Sequence, residues 1–207
     1  MEDLLDLYKE AYNHNYPVVC FDEKSYQLTD YVTEPIPATL NHLKLEDYEY
    51  IRKGTSNLFI FVEPKGGSRH IEVTNRRTKE DFANAMKLLT EELYPKAKKI
   101  RLVLDNLNTH KLSTLYEFFE ADIARNIVKK IELHYTPVHA SWLNMAEIEI
   151  SIVARQCLNK RIAAIDKLKQ EISIWQNDRN YKKVKIRWGF TTKKARKKLT
   201  SFYSKLT

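Results

Sequence analysis

Ile100-Arg101-Leu102-Val103-Leu104-Asp105 is the stretch that decides the fold. It is a short, nearly continuous apolar run that stops on a carboxylate, and Pro17-Val18-Val19-Cys20-Phe21-Asp22 repeats the pattern earlier in the chain. Runs of this kind mark strands buried on both faces, which belong to sheets covered by helices. A third short run, Ile131-Glu132-Leu133-His134-Tyr135, precedes Thr136-Pro137.

The flanking sequence fills in the rest. Leu4 to Tyr12 has a helical pattern, and a loop with Pro35 and Pro37 leads into Asn57–Glu63. The turn Pro64-Lys65-Gly66-Gly67 then joins that run to His70–Thr74, which reads as an antiparallel hairpin. Thr78 to Tyr94 sets Phe82, Ala85, Met86, Leu89 and Leu93 at helical spacing, with Thr78 as cap ahead of Asp81 and Pro95 as the stop. Helical patterns recur over Leu112 to Arg125, Leu143 to Leu158 and Ala163 to Trp175. The expected fold class is α/β: a mixed central sheet, an antiparallel hairpin plus parallel strands, flanked by helices. At 207 residues, length favours one domain. We expect it to span residues 1–178, with 179–207 a basic C-terminal segment packed on or extending from it.

Ligands of open α/β sheets gather at the carboxyl ends of strands. Asp22 and Asp105 both stand there, and on neighbouring strands they would converge. Either one alone reads more readily as a turn or cap residue. Together they suggest a hard divalent cation held by carboxylate oxygens, as phosphoryl-transfer sites require, and a third acid is then expected nearby.

That acid lies in Tyr135-Thr136-Pro137-Val138-His139-Ala140-Ser141-Trp142-Leu143-Asn144-Met145-Ala146-Glu147-Ile148-Glu149. This segment, with Val19–Ser25 and Leu102–His110, resembles the signature blocks of mariner-related insertion-sequence transposases of the DDE superfamily. Ile186-Arg187-Trp188-Gly189-Phe190-Thr191-Thr192 is similar to the C-terminal block of the same family. The resemblance implies a ribonuclease H-like fold and a catalytic triad of Asp22, Asp105 and Glu147 holding two Mg²⁺ ions, with Mn²⁺ as substitute. It also implies cleavage at transposon ends followed by strand transfer into target DNA. Between Asp105 and Glu147 stand 147 − 105 − 1 = 41 residues, more than related elements usually have, which an insertion around Glu120 to Lys130 would absorb.

Glu149 competes with Glu147, but two residues along a helix turn a side chain by about 200°, so only one of them faces the site. The family block favours Glu147 over its alternative role as a capping-box partner of Asn144. Glu23 points away from Asp22 on a strand and reads as structural or supporting. Asn106, Asn108 and His110 are candidates to orient Asp105, a water or DNA. His110, His134 and His139 match no zinc spacing, which leaves hydrogen bonding or substrate contact. Trp142 reads as core rather than as a platform for bases.

The net charge is +8, yet 11 Lys/Arg and no Asp/Glu lie between Arg179 and Thr207; 8 − 11 leaves −3 for the rest. A mildly acidic body with a basic tail suits a metal site beside a separate phosphate-binding segment, though a solvated basic helix gives the same count. Lys24, Lys193, Lys194, Arg196, Lys197 and Lys198 are the candidate DNA contacts. Cys20 and Cys157 sit in apolar runs with no CxxC spacing and read as reduced core thiols. With an acidic N-terminus and no apolar run of membrane-spanning length, a cytoplasmic protein is expected, and the resemblance to insertion-sequence transposases implies a nucleoid-associated prokaryotic one. The partners expected are double-stranded DNA and a second copy on DNA. A helix-turn-helix reader is also expected, separate or fused, because the residues before Tyr12 leave no room for one. An inactive DNA-binding remnant and a host nuclease of the same fold are the alternatives.

Overall fold

The computed structural model describes residues 1–106 and 111–200. Five strands form one sheet: β1 (Val18–Tyr31), β2 (Tyr50–Glu63), β3 (Ser68–Thr74), β4 (Ile100–Leu104) and β5 (Ile131–Tyr135). Their order is β3-β2-β1-β4-β5. β1 to β3 pair antiparallel, while β1–β4 and β4–β5 are parallel. The mixed sheet is therefore as expected, with β1, the strand that carries Asp22, at its centre.

Side-chain alternation sorts the sheet into two faces. Val19, Phe21, Phe59, Phe61, Leu102 and Leu104 pack under α2 (Lys79–Leu88), α3 (Leu115–Phe118) and α4 (Ala121–Lys130). Phe21 is the hub of that side, its ring 4.9 Å from Phe61 and 5.9 Å from both Phe59 and Phe82. Cys20, Val62 and Val103 face the other way, toward α1 (Glu2–Lys9), the start of α5 (Ala146–Gln156) and the C-terminal segment. Leu58, Ile60, Ile71 and Val73 continue that face under α5 and α6 (Ile165–Tyr181). Both cysteines are buried free thiols.

Several boundaries differ from the expectation. β1 does not end at Asp22: it pairs with β4 only over Val18–Cys20 and then runs on with β2 to Tyr31. Tyr26 and Leu28 pack on the α5–α6 side, a period-two signal too sparse to read past the polar residues between them. The ribbon slips register after Leu28, opposite Gly54, whose φ of 115° is open to glycine. The capping box of Thr78 and Asp81 forms as expected, but regular α-helix stops at Leu88 and a π-type turn covers Leu89–Leu93. The stretch around 112–125 breaks at Phe119, which is extended, so residues 120–130 hold a helix of their own, α4. α6 runs six residues beyond Trp175, to Tyr181. α7 (Thr192–Lys198) packs on α1, with Thr192 Oγ1 2.9 Å from Asp6 Oδ1 and Ala195 buried. No helix among the described residues is long and apolar enough to cross a membrane.

Candidate functional site

The parity of the strands places the first two acids. Cys20 and Val103 face α1 and α5, so Asp22 and Asp105, each two residues further, project to that same side. Asp22 sits where β1 parts from β4, and Asp105 directly follows the last residue of β4. The gap between parting strands is where such a sheet leaves room for a ligand.

Glu147 comes to this corner through a specific tether. The buried Asn144 donates its Nδ2 to the carbonyl of Phe21 at 2.8 Å, and its Oδ1 accepts from the Ala146 N–H at 3.1 Å. One side chain thus ties the backbone before Asp22 to the first turn of α5. Glu147 is the second residue of that helix and makes no capping box with Asn144: the N-cap is Met145, without a side-chain cap. The sequence reading treated Asn144 only as a cap. Its bond to Phe21 spans 123 positions and has no local signal.

Electrostatics ties the three acids together. Burial pushes the Asp22 carboxyl up to about 7. The Glu23 N–H, 2.8 Å from Asp22 Oδ1, works against that, while the negative charges of Glu147, Asp105 and Glu23 add to the rise. Glu147 and Asp105 are both half-buried. Among the described residues, no group of three or more His, Cys, Asp or Glu side chains is arranged so that it could hold a metal ion. Carboxylates are the donor type that a hard divalent cation takes, and the charges of Glu147 and Asp105 reach Asp22.

Glu149 has a different fate. It is fully buried, with Arg179 Nε at 3.0 Å and Arg69 Nε at 2.9 Å, the latter an ionic contact without hydrogen-bond alignment. Arg69 also donates to the carbonyls of Gly67 and Val184 and to Asn180 Oδ1. Glu149 therefore clamps α5 to β3 and α6, and its turn of helix keeps Glu147 on the opposite side. Glu23 faces away from the corner toward Arg77, at 3.4 Å.

The remaining candidates are scattered. Lys24, half-buried, lies on the Asp22 side of β1, and Asn106 is exposed beside Asp105. Asn108 and His110 lie outside the described residues. In α7, Arg196 pairs with Glu2 through two contacts of 2.7 Å and Lys194 Nζ bonds the Gly189 carbonyl at 2.7 Å; Lys193, Lys197 and Lys198 are exposed. His134 bonds Asp3 at 2.9 Å and Glu132 at 3.0 Å, and His139 sits in a loop with φ of 61°. Trp142 is not core: it is 46% exposed, on a single turn (Ser141–Leu143), with Phe190 edge-on behind it at 5.4 Å. Its neighbour Leu143 takes the buried position, because a one-turn segment can turn only one of the two inward.

Comparison with known proteins agrees with this architecture. A family model described as DDE superfamily endonuclease matches residues 17–169. The crystal structure of the Mos1 mariner paired end complex with Mn superimposes with a TM-score of 0.60 at 14% identity, covering 88% of this chain and 55% of that one. The Mos1 transposase paired-end complex with left transposon end gives 0.60 at 13%, with the same coverage of 88% and 55%. The Mos1 Strand Transfer Complex gives 0.58 at 13%, again covering 88% and 55%. The fold is thus the ribonuclease H-like one, and this chain spans just over half the length of those structures. No curated protein sequence matches it.

Proposed function

Because this chain belongs to the DDE superfamily endonucleases, we propose that it is a transposase catalytic domain in which Asp22, Asp105 and Glu147 hold the metal ions that cut and join DNA. What supports this reading is that acids from β1, β4 and α5 interact: the Asp22 carboxyl is raised first by burial, and the charges of Glu147 and Asp105 add to that rise. Asp22, Asp105 and Glu147 would hold two Mg²⁺ ions, or Mn²⁺ in their place, which would supply the Lewis acidity for attack by a water or a 3′-hydroxyl and for departure of the leaving oxygen.

The chain's own residues do the rest. A cation held at the corner would favour the Asp22 anion and displace the proton that burial favours, so binding is expected to strengthen as pH rises. Asn144 and the Glu149 clamp fix where Glu147 is presented. Rigid presentation matters, because misplacement by about 1 Å is enough to cost ~100-fold in rate. Lys24, Lys193, Lys197 and Lys198 offer charge to phosphates, and Trp142 an exposed ring beside the corner. The DNA is double-stranded, comprising transposon ends and target. Joining at paired ends calls for two copies on DNA, with a helix-turn-helix region, separate or fused, reading the end sequence.

The test is strand joining. A duplex oligonucleotide with a recessed 3′-hydroxyl is incubated with supercoiled plasmid, Mn²⁺ and the chain fused to a sequence-specific DNA reader. Covalent joining supports the transposase reading; nicking without joining points to a nuclease of this fold, and neither product to a DNA-binding remnant.

A further inference from the structure

Toward the beginning of β1, apart from the carboxylate corner, a groove of about 390 Å³ opens between α1, the β2–β3 turn and the C-terminal segment. That volume lies within the range of small-ligand sites, roughly 300–1,000 Å³. Its floor is apolar and aromatic: Tyr8, Met145, Ile186 and Trp188, with Trp188 edge-on to Tyr8 at 5.4 Å. Its rim carries Lys65, Lys185 and Arg187, together with Tyr12, which is 51% exposed. No carboxylate lines it among the described residues.

The walls are fixed. The Ile186 N–H bonds the Pro64 carbonyl at 2.9 Å, and Lys65 Nζ is held by the Glu10 carbonyl. Along the C-terminal segment Ile186, Trp188 and Phe190 pack inward, and the alternate residues Lys185 and Arg187 are exposed. The buried Nε1 of Trp188 has no hydrogen-bond partner among the described residues.

A ring-lined floor under a rim of cations is the pairing that binds single-stranded nucleic acid: bases stack, and phosphates meet Lys and Arg. An acidic peptide would match the charge but leave the ring-lined floor without flat partners. We propose that this groove is a second nucleic-acid site, holding a nucleotide of an unpaired DNA strand with its base against Tyr12 and Trp188 and its phosphates on Lys185 and Arg187. The inference rests on reading the chain as a DNA enzyme, and the experiment separates the two.

The probe is a fluorescently labelled 12-nucleotide oligothymidine, with a duplex of equal length as control, titrated over a range of salt in EDTA. Each phosphate contact on a single strand contributes ~0.7 to the slope of log affinity against log salt, so K185Q/R187Q is expected to lose about 1.4 of slope. Both residues are exposed, so the double variant keeps its fold. Y12L is expected to bind oligothymidine about ten-fold or more weakly, while Y12F, which keeps the ring, binds like the wild type. A 5-iodouracil version of the probe should photo-crosslink to Tyr12 or Trp188. An unchanged slope in K185Q/R187Q, Y12L binding as tightly as Y12F, or an acidic aromatic peptide displacing the probe from the groove at lower concentration than oligothymidine would each overturn the assignment. Duplex binding that survives those results leaves the DNA reading standing; loss of all DNA binding by the wild type removes both.

Discussion

Glu149→Gln should destabilise the protein far more than Glu147→Gln, although the two residues share a helix turn. Glu149 has no exposed surface and faces Arg69 Nε at 2.9 Å and Arg179 Nε at 3.0 Å, with the Arg69 side chain itself fully buried. The amide keeps the shape but removes the charge that opposes these two guanidiniums. Breaking a buried pair from one side costs ~3–5 kcal/mol, since a charge is left uncompensated in low dielectric. Arg69 keeps acceptors at Gly67, Val184 and Asn180, which favours the lower end, about 3 kcal/mol. In a domain of this size each kcal/mol moves Tm by ~2–4 °C, so a drop of roughly 6–12 °C is expected. The half-buried Glu147 has no such partner charge among the described residues, and its variant should stay within ~1 kcal/mol of wild type or gain stability from relieved repulsion. Thermal and urea unfolding at pH 7.5 without divalent cations reads both. A Glu149→Gln loss under ~1 kcal/mol, or a larger loss in Glu147→Gln, would refute the division of labour between the two glutamates.

Three further outcomes follow from the same geometry. The Asp22 carboxyl is raised from 3.8 to about 7, so its folded form prefers the proton. The penalty for ionising it is absent below about pH 4, grows through the interval and is complete above about pH 7, at most ~4 kcal/mol for a shift near three units. Asp22→Asn should accordingly raise Tm at pH 8 in EDTA and lose that advantage near pH 4; equal Tm values at both pH values contradict it. Mn²⁺ should raise the wild-type Tm at pH 8 and leave Asp105→Asn unmoved, because only a native state that binds ligand is stabilised by it; an equal rise in both removes Asp105 from the ligand set. Asn144→Ala removes the buried amide that donates to the Phe21 carbonyl, for a loss of ~1–3 kcal/mol in urea unfolding. A loss below that range would mean the tether between β1 and α5 is not made.

The parts of this molecule that are local in sequence were legible. Buried strands announce themselves as apolar runs, the β2–β3 hairpin as a Pro-Lys-Gly-Gly turn, and the Thr78 cap by Asp81 three residues on. Asp22 and Asp105 stood out as candidates because each closes an apolar run, whereas Glu147 stood out only through the block that a known family shares. What escaped is long-range or cooperative. β1 continues past Asp22 because β2 supplies a full antiparallel partner, which no reading of β1 alone contains. Arg69 meets Glu149 only once β3, α5 and α6 have packed, and Asn144 meets Phe21 only across the sheet. Trp142 was misplaced because apolar character says that a ring prefers burial, not which of two adjacent large residues obtains it.

The central claim, that Asp22, Asp105 and Glu147 act as one metal-dependent phosphodiester site, is tested most directly by nicking of supercoiled DNA in Mg²⁺ or Mn²⁺. Wild type is run beside Asp22→Asn, Asp105→Asn and Glu147→Gln, with the chain joined to a DNA-reading region and each variant checked for folding. The account predicts cleavage that needs the divalent ion and is lost in all three variants while DNA affinity is kept. Cleavage that persists in any one of them, or that proceeds in EDTA, would contradict it.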